Sequence, residues 1–164
     1  MLRLILPDRR CCAFRQALMA DPATMAYNAP WFPPDGTIPF PEEAWDAFLT
    51  AWQGREPEAF LGFLENEGGM LVGEVNWHDY GRAMGIVIKA EHRGRGYGGQ
   101  GLALLKQRAF AHLEIPYLEN NFESDRDHAL ALHLRAGFIP AGRDLDGYLV
   151  LRCMNPNSGQ GSIP

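Results

Sequence analysis

Hydrophobic and polar positions follow two different periods along this chain. Short apolar runs separated by turn residues predict seven strands, at residues 2–6, 59–64, 70–77, 82–88, 116–122, 138–142 and 148–154. Apolar residues spaced three and four apart predict helices at residues 8–20, 42–54, 97–113 and 126–136, and Asp21-Pro22 predicts a further short helical turn. Glycine-containing turns join the second, third and fourth strands, which therefore form an antiparallel meander.

The length and composition are those of one globular domain. The chain has 164 residues, of which 46% are hydrophobic and 21% charged, enough to bury one core. We expect a single domain at residues 1–154 and a flexible Gly/Ser/Pro-rich tail at residues 155–164. No apolar run approaches the ~18 residues of a membrane span, and the first strand is too short for a signal peptide. We therefore expect a cytoplasmic protein with no membrane partner.

Charge and cysteine content narrow the class of partner. A net charge of −5, with no basic face outside one glycine-rich stretch, argues against a nucleic-acid partner. The three cysteines lack the spacing of a metal site or of a disulfide framework, so we expect reduced structural thiols and no bound metal. A homodimer is compatible with the sequence.

The centre of the chain carries its strongest chemical signal. A β-branched strand, Ile86-Val87-Ile88, is followed by Arg93-Gly94-Arg95-Gly96-Tyr97-Gly98-Gly99 and then by an amphipathic helix. Glycines let backbone N–H groups close on an oxyanion, and a helix N-terminus adds about half a positive charge. The stretch therefore predicts an anion site, and we expect a pyrophosphate as its ligand.

Two motifs for a pyrophosphate overlap in this stretch. Gly94, Gly96 and Gly99 spell the dinucleotide fingerprint G-x-G-x-x-G, and Glu119 lies about where its ribose-binding acid would fall. This interpretation predicts a small NAD(P)-binding oxidoreductase. Against it, residues 90–93 separate the strand from the first glycine, and such a fingerprint usually opens its domain, whereas 93 residues precede it here. A merely structural glycine turn is a third alternative.

Arg93, Gly96 and Gly98 spell the second motif, R-x-x-G-x-G. With this motif, and with the order of its elements over residues 2–154, the chain resembles the GCN5-related N-acetyltransferase (GNAT) family. The resemblance implies an α/β fold of mixed α+β type, in which helices flank a central, mostly antiparallel sheet of six to seven strands. It further implies that the fourth and fifth strands splay apart and that acetyl-CoA is the cofactor, with pantetheine between these strands.

The resemblance also implies which residues hold the cofactor. Pantetheine amides would pair with the backbone of the fourth strand, and the pyrophosphate would lie on the glycine-rich loop, where two arginines fork onto phosphate oxygens. Arg126 stands where the family commonly has an asparagine, within reach of a CoA phosphate. The expected cofactor-binding residues are Ile86, Val87, Ile88, Arg93, Gly94, Arg95, Gly96, Tyr97, Gly98, Gly99 and Arg126.

The proton donor to the leaving thiolate departs from the family pattern. Family members often carry a tyrosine four residues before a Gly-Phe pair; here that pair is Gly137-Phe138, and the fourth position back is His133. Histidine can protonate a thiolate, because its reference pKa of ~6.5 lies below the ~8.5 of a thiol. We expect His133 to be the general acid, with a hydrogen-bonded core histidine as the alternative.

The general base is less obvious, because the fourth strand carries no carboxylate where many family members place a glutamate. The nearest carboxylate is Glu74 on the preceding strand, and alternation puts Asn76 and His78 on the same side. We expect Glu74 to deprotonate the acceptor amine, directly or through water. The alternative is a solvated outer face or a cross-strand ion pair with Arg82.

A proline-rich segment, residues 27–41, predicts the acceptor side of the site. It has five prolines, four aromatic residues and neither helical nor strand period, so we expect an ordered loop that either lids the core or walls the acceptor pocket. The expected acceptor contacts are Tyr27, Trp31, Phe32 and His78.

These expectations together describe an acetyl-CoA-dependent N-acetyltransferase. The acceptor would be a primary amine of a small molecule or peptide. No Ser/His/Asp or Cys/His constellation supports a covalent intermediate, so we expect direct transfer in a ternary complex. Because the fourth-strand glutamate is missing, a non-catalytic acyl-CoA-binding GNAT-like module is the principal alternative.

Overall fold

The computed structural model describes residues 1–29 and 34–158. The helices are α1 (Arg9–Met19), α2 (Pro22–Met25), α3 (Trp45–Thr50), α4 (Tyr97–Ala109) and α5 (Asp127–Arg135). The strands are β1 (Arg3–Ile5), β2 (Phe60–Glu65), β3 (Leu71–His78), β4 (Ala83–Ile88), β5 (Tyr117–Phe122), β6 (Ile139–Arg143) and β7 (Leu149–Met154). Among the described residues, no helix is both long and apolar enough to cross a bilayer.

The seven strands form the expected mostly antiparallel arrangement, as two hydrogen-bonded sheets. The first sheet has the order β1-β2-β3-β4 and the second the order β5-β7-β6. Strands β4 and β5 lie next to each other but share no ladder of hydrogen bonds. The predicted splay between the fourth and fifth strands is therefore confirmed, and it divides the sheet into two.

Both faces of the first sheet are covered by helices. On one face, α4 packs its Leu102 and Leu105 into the main core, which also contains Trp77. A Cβ atom at Gly101 would come within 2.7 Å of Leu64 Cδ1, so glycine is what allows α4 to approach the sheet this closely. On the other face, α1 and α3 enclose a second core.

Capping residues in the sequence predicted the starts of α1 and α2 correctly. Asp8 caps α1 by accepting the N–H of Arg10 at 2.8 Å, and Asp21 caps α2 with Pro22 in its first turn, as predicted. The helix expected at residues 42–54 is shorter. It begins as a 3-10 turn at Glu42–Ala44, and no side chain in the described part of the chain caps either start.

The first residues of the predicted tail pack against the domain. Asn155 is buried, and its Nδ2 donates to the carbonyl of Ile115 at 2.8 Å. Asn157 Nδ2 donates to the carbonyl of Phe110 at 3.0 Å. The boundary predicted after Met154 therefore lies inside packed structure.

Candidate functional site

A cleft of about 1480 Å³ opens where β4 and β5 diverge. Its walls include Ile86–Ile88 of β4 and Asn120–Phe122 of β5. The lining also includes the glycine-rich loop after β4, residues of α4 and α5, and residues of the segment from Ala23 to Tyr27. In the described part of the chain β4 pairs only with β3, so about half of its backbone N–H and C=O groups point away from that partner. Apart from the Ile88 carbonyl, which accepts from Arg93, these groups are available to a ligand.

The glycine-rich loop forms a cradle of backbone amides at the start of α4. Gly94 and Gly96 have φ values of 74° and 76°, the left-handed region that favours glycine, and Gly96 directly precedes the helix. Within the described residues, the N–H groups from Gly94 to Gly99 donate to no protein acceptor. Such free amides at a helix N-terminus fit a diphosphate.

Two positions in the first turn of α4, Gly98 and Gly99, are occupied by glycine for different structural reasons. A Cβ atom at Gly98 would lie 3.1 Å from Leu132 Cδ2, so this glycine lets α4 and α5 pack closely. Gly99 is exposed, and a Cβ there would meet nothing within 4 Å. Gly99 therefore leaves open space directly beside the amide cradle.

The structure does not place the two arginines of the loop alike. Arg93 was expected to fork onto phosphate oxygens, but its Nε donates to the carbonyl of Ile88 at 3.0 Å, and its Nη atoms donate to the carbonyls of Ala23 and Thr24 at 3.1 and 3.0 Å. Arg95 is exposed and makes one long bond, of 3.4 Å, to the carbonyl of Glu91. Of the two side chains, Arg95 is the more available to an anion.

His133 borders the cleft, but both of its ring nitrogens are hydrogen-bonded. Nδ1 lies 2.8 Å from the carbonyl oxygen of Ala129, which only accepts, so Nδ1 carries the proton. Nε2 accepts from Asn120 Nδ2 at 3.1 Å, and the orientation of this amide is set because Asn120 Oδ1 accepts the N–H of Asn121. Burial lowers the pKa of His133, so the ring is neutral. This geometry matches the core alternative better than a general acid.

The neutral, buried His133 predicts a pH-dependent stability. Its pKa is lower in the folded state, so the unfolded chain takes up a proton first, and the free energy of unfolding falls as the pH drops through the ordinary histidine value of ~6.5. We expect the free energy of unfolding of His133→Gln to decrease less over the same pH range. Urea unfolding midpoints between about pH 8 and pH 5 measure this difference.

A control for this experiment is His78→Gln, because burial also lowers the pKa of His78. The two variants should each remove a separate share of the pH dependence. The free energy of unfolding of His133→Gln could instead fall with decreasing pH as steeply as that of the unsubstituted protein. This result would show that His133 is not the buried neutral group described above.

Glu74 lies in a buried ion pair away from the cleft. The residue is 3% exposed, and both carboxylate oxygens accept from Nη1 of Arg15 on α1. The Arg15 Cζ lies 4.1 Å from the centroid of the Phe48 ring and 5.1 Å from that of Phe40. Arg82, the alternative partner, pairs instead with the turn before β4. The partner of Glu74 therefore comes from the first helix, and Glu74 does not line the cleft.

Of the four expected acceptor contacts, the structure brings Tyr27 into the cleft. His78 lies at the end of β3, where its ring centroid is 4.3 Å from that of Trp52, and it does not line the cleft. Trp31 and Phe32 lie outside the described residues. Burial, with a smaller contribution from the charge of Glu74, raises the pKa of Tyr27, so its hydroxyl remains protonated at neutral pH.

Arg126 lines the cleft, with its guanidinium group over the ring of Tyr27. Its Cζ lies 5.1 Å from the centroid of the Tyr27 ring and 5.5 Å from that of Phe122. The carboxylate of Glu123 is 3.8 Å away. The contact joins the start of α5 to the segment after α2.

The dinucleotide interpretation fails on geometry. The strand that leads into the glycine loop, β4, is antiparallel to its one partner, whereas a dinucleotide fold needs a parallel sheet at this point. Glu119, the expected ribose ligand, accepts from Arg152 of β7 at 2.6 Å. Neither the sheet nor this carboxylate is arranged for NAD(P).

Sequence reasoning missed two polar residues of the site, Asn120 and Thr24. Asn120 holds the His133 ring, and the only available signal was an Asn-Asn pair inside a predicted strand. Thr24 is 1% exposed, and its Oγ1 accepts the N–H of Ala90 at 2.8 Å. Its position three residues after the Asp21 cap was the only sign of its role.

Known proteins resemble this chain in sequence pattern and in fold. The family model described as the acetyltransferase (GNAT) domain matches residues 2–139. No curated protein matches the chain in sequence. A spermidine N-acetyltransferase from Vibrio cholerae, in complex with CoA and spermine, superposes with a TM-score of 0.74 at 18% identity, over 94% of this chain and 95% of that one.

A second solved structure is a spermidine N-acetyltransferase from Vibrio cholerae in a dodecameric, intermediate state. It superposes with a TM-score of 0.70 at 16% identity, over 94% of each chain. At such identities the likeness concerns the fold, whereas the family model rests on the sequence itself. The chain therefore belongs to the GNAT acetyltransferase family, whose members are acyltransferases that use acetyl-CoA.

Proposed function

We propose that this chain transfers an acetyl group from acetyl-CoA, bound between β4 and β5, to a primary amine of a small molecule or peptide. One observation carries the proposal: the unpaired edge of β4 runs toward a cradle of free backbone amides at the start of α4. A strand edge suits the amides of pantetheine, and the cradle suits a diphosphate.

The cofactor would be held mostly by backbone. Ile86, Val87 and Ile88 would offer to pantetheine those N–H and C=O groups that point away from β3, apart from the Ile88 carbonyl, which accepts from Arg93. The amides of residues 94–99 would bind the diphosphate. Among the expected side chains, Arg95 would add charge at this end, whereas Arg93 donates to backbone carbonyls and Arg126 lies over Tyr27. When bound, acetyl-CoA supplies an acetyl group that is already activated as a thioester.

The residues of the chain would act by orientation and by holding protons in place. Tyr27 keeps its hydroxyl protonated at the cleft and can donate from Oη to an oxygen or sulfur atom. Glu74 and His133 stay predictions as catalytic groups, but the first is paired with Arg15 and the second is hydrogen-bonded at both nitrogens. Orientation of the two reactants would then supply most of the rate acceleration.

Direct transfer is favoured over a covalent acyl-enzyme. The described residues that line the cleft include no cysteine or serine. All three cysteines are buried outside it, and burial raises the pKa of Cys11 to about 11, far from a reactive thiolate. A thiol or serine nucleophile for a covalent intermediate is therefore lacking in the described part of the cleft.

A polyamine is the first acceptor to test. One structural neighbour binds spermine, and this chain has a net charge of −5. Asp144 lies beside the cleft, where it accepts from Asn121 Nδ2 at 2.5 Å, and burial and then the charges of Glu123, Asp146 and Asp144 raise the pKa of Tyr148. Carboxylates at this end of the cleft would attract a cation with several amines.

Initial rates of thiol release test the proposal. A panel of a polyamine, a short diamine, an amino acid and a peptide with a free N-terminus would be varied against acetyl-CoA. We expect release with at least one amine and intersecting lines in double-reciprocal plots, the pattern of a ternary complex. Parallel lines would indicate an acyl-enzyme, and tight acetyl-CoA binding without release would favour the non-catalytic module.

Location and assembly follow the sequence-based expectations. We propose a cytoplasmic protein that can form a homodimer. Sedimentation of the purified chain at several concentrations would measure the assembly directly. A larger closed assembly, like the dodecamer described for one neighbour, would contradict the dimer.

A further inference from the structure

The side chain of Arg93 joins two elements that are distant in sequence. Its Nε donates to the carbonyl of Ile88 at the end of β4, at 3.0 Å. Nη1 donates to the carbonyl of Ala23 at 3.1 Å and Nη2 to that of Thr24 at 3.0 Å, 70 and 69 residues earlier in the chain. All three guanidinium nitrogens thus donate to backbone, and the planar group spans from β4 to α2.

A second set of hydrogen bonds ties the same two elements together. Thr24 is 1% exposed, and its Oγ1 accepts the N–H of Ala90, in the turn that follows β4, at 2.8 Å. The same hydroxyl donates to Asp21, the cap of α2. We call these contacts of Arg93 and Thr24 the α2–β4 junction.

The segment that this junction holds carries the acceptor side of the cleft. Helix α2 has four residues, too few to be stable by itself, so its orientation depends on contacts outside it. Tyr27 follows directly, in the 3-10 turn Ala26–Asn28, and lines the cleft. The position of Tyr27 relative to β4 is therefore set in large part by the α2–β4 junction.

We propose that Arg93 is a positioning residue, which sets Tyr27 and the acceptor side of the cleft relative to β4 and adds little to phosphate binding. The inference rests on the proposed function, in which an amine binds beside acetyl-CoA. Arg93 stands at the first position of the R-x-x-G-x-G motif, where charge alone suggests a phosphate ligand. Its three hydrogen bonds to backbone carbonyls assign it the positioning role.

Arg93→Lys separates a positioning role from a phosphate-binding role. Lysine keeps the positive charge but lacks the planar guanidinium group that donates several hydrogen bonds. An ammonium near the loop would still attract a phosphate, but it cannot donate to three carbonyls in this fixed arrangement. We expect the Kd for CoA to stay within about twofold and the KM for the amine to rise about tenfold or more. The matched control is Arg82→Lys, an arginine paired with Asp79 outside the cleft lining, which should change neither constant by more than about twofold.

Hydrogen exchange gives a readout that does not depend on turnover. With CoA bound, Arg93→Lys should speed amide exchange in residues 20–28 by about tenfold or more, while exchange in α4 stays as in the unsubstituted protein. Exchange at residues 20–28 that remains slow would overturn the proposal. A tenfold rise in the Kd for CoA with an unchanged KM for the amine would also overturn it, since that is the pattern of a phosphate ligand.

Thr24→Val tests the same junction without a change of charge. Valine fills the volume of threonine but removes the hydroxyl that bonds to Ala90 and Asp21, so we expect the same rise in amine KM and in exchange. If Arg93→Lys does not fold, Thr24→Val alone tests the junction. An unchanged KM for the amine and unchanged amide exchange in residues 20–28 would then overturn the proposal. A protein that binds CoA but acetylates no amine would refute the proposed function, whereas the exchange measurement would still test the junction.

Discussion

Gly99→Glu is expected to weaken binding of CoA by roughly 30-fold, about 2 kcal/mol, without lowering the stability of the unliganded protein. The position is open, because a Cβ there meets no atom within 4 Å, and its φ is not in the left-handed region. A carboxylate in the first turn of α4 interacts favourably with the helix dipole, so the fold should be unharmed. The same carboxylate would repel a diphosphate on the neighbouring amides.

The matched control for this variant is Gly99→Gln, which has the same size and no charge. Thermal unfolding with and without CoA measures both effects, because a ligand at 100 times its Kd adds about 2.7 kcal/mol of stability. We expect the rise in Tm caused by CoA to persist largely in Gly99→Gln and to shrink strongly in Gly99→Glu at the same CoA concentration. Equal shifts in the two variants would mean that the diphosphate does not lie on the amide cradle.

Arg15→Met is expected to cost about 3–5 kcal/mol of the free energy of unfolding, the largest effect on stability that we predict. Removing Arg15 leaves the carboxylate of Glu74 buried without a partner, in a site where it is 3% exposed. Replacing both residues, in Arg15→Met/Glu74→Leu, should recover most of the loss, because a buried ion pair and an apolar pair of similar volume have similar net energies. Urea unfolding of the three proteins measures both changes.

The same double variant decides whether Glu74 is the general base. A buried pair that only supports the fold predicts that kcat falls less than about tenfold in Arg15→Met/Glu74→Leu, once the protein is folded. Loss of a general base would instead lower kcat by about 100-fold or more while the stability recovers. The two outcomes are far enough apart to be separated by thiol release under saturating amine and acetyl-CoA.

The sequence predicted the family and the cofactor because both depend on local chemistry. Residues 93–99 combine glycines, arginines and a helix start within one short stretch, and the order of strands and helices around them follows from local periodicity. The GNAT family is confirmed over residues 2–139. The turn and the free amides are consequences of a few adjacent residues, which is the range over which a sequence pattern is informative.

The roles of Arg93 and Glu74 could not be predicted in this way, because their partners lie far away in the chain. The acceptors of Arg93 are backbone carbonyls of α2, and a carbonyl leaves no mark in the residue type. The partner of Glu74 is Arg15 on α1, whereas the sequence offered Arg82 as an alternative cross-strand partner. Which charged groups meet depends on tertiary packing.

His133 shows a different limit. Its position relative to Gly137-Phe138 matches a family pattern, and its side chain borders the cleft. The pattern did not reveal that Asn120 and the carbonyl of Ala129 bond both ring nitrogens. Proximity to a site follows from register along the helix, but the protonation state follows from the neighbours.

Acetyl transfer in this cleft is tested most directly by measuring free CoA and acetylated amine in the same samples, with the unsubstituted protein, Gly99→Gln and Gly99→Glu. We predict that the two products appear in equal amounts, and that at limiting acetyl-CoA both fall strongly in Gly99→Glu but little in Gly99→Gln. An unsubstituted protein that binds acetyl-CoA and yields no acetylated amine would contradict the proposed function. An undiminished yield in Gly99→Glu would contradict the placement of acetyl-CoA between β4 and β5.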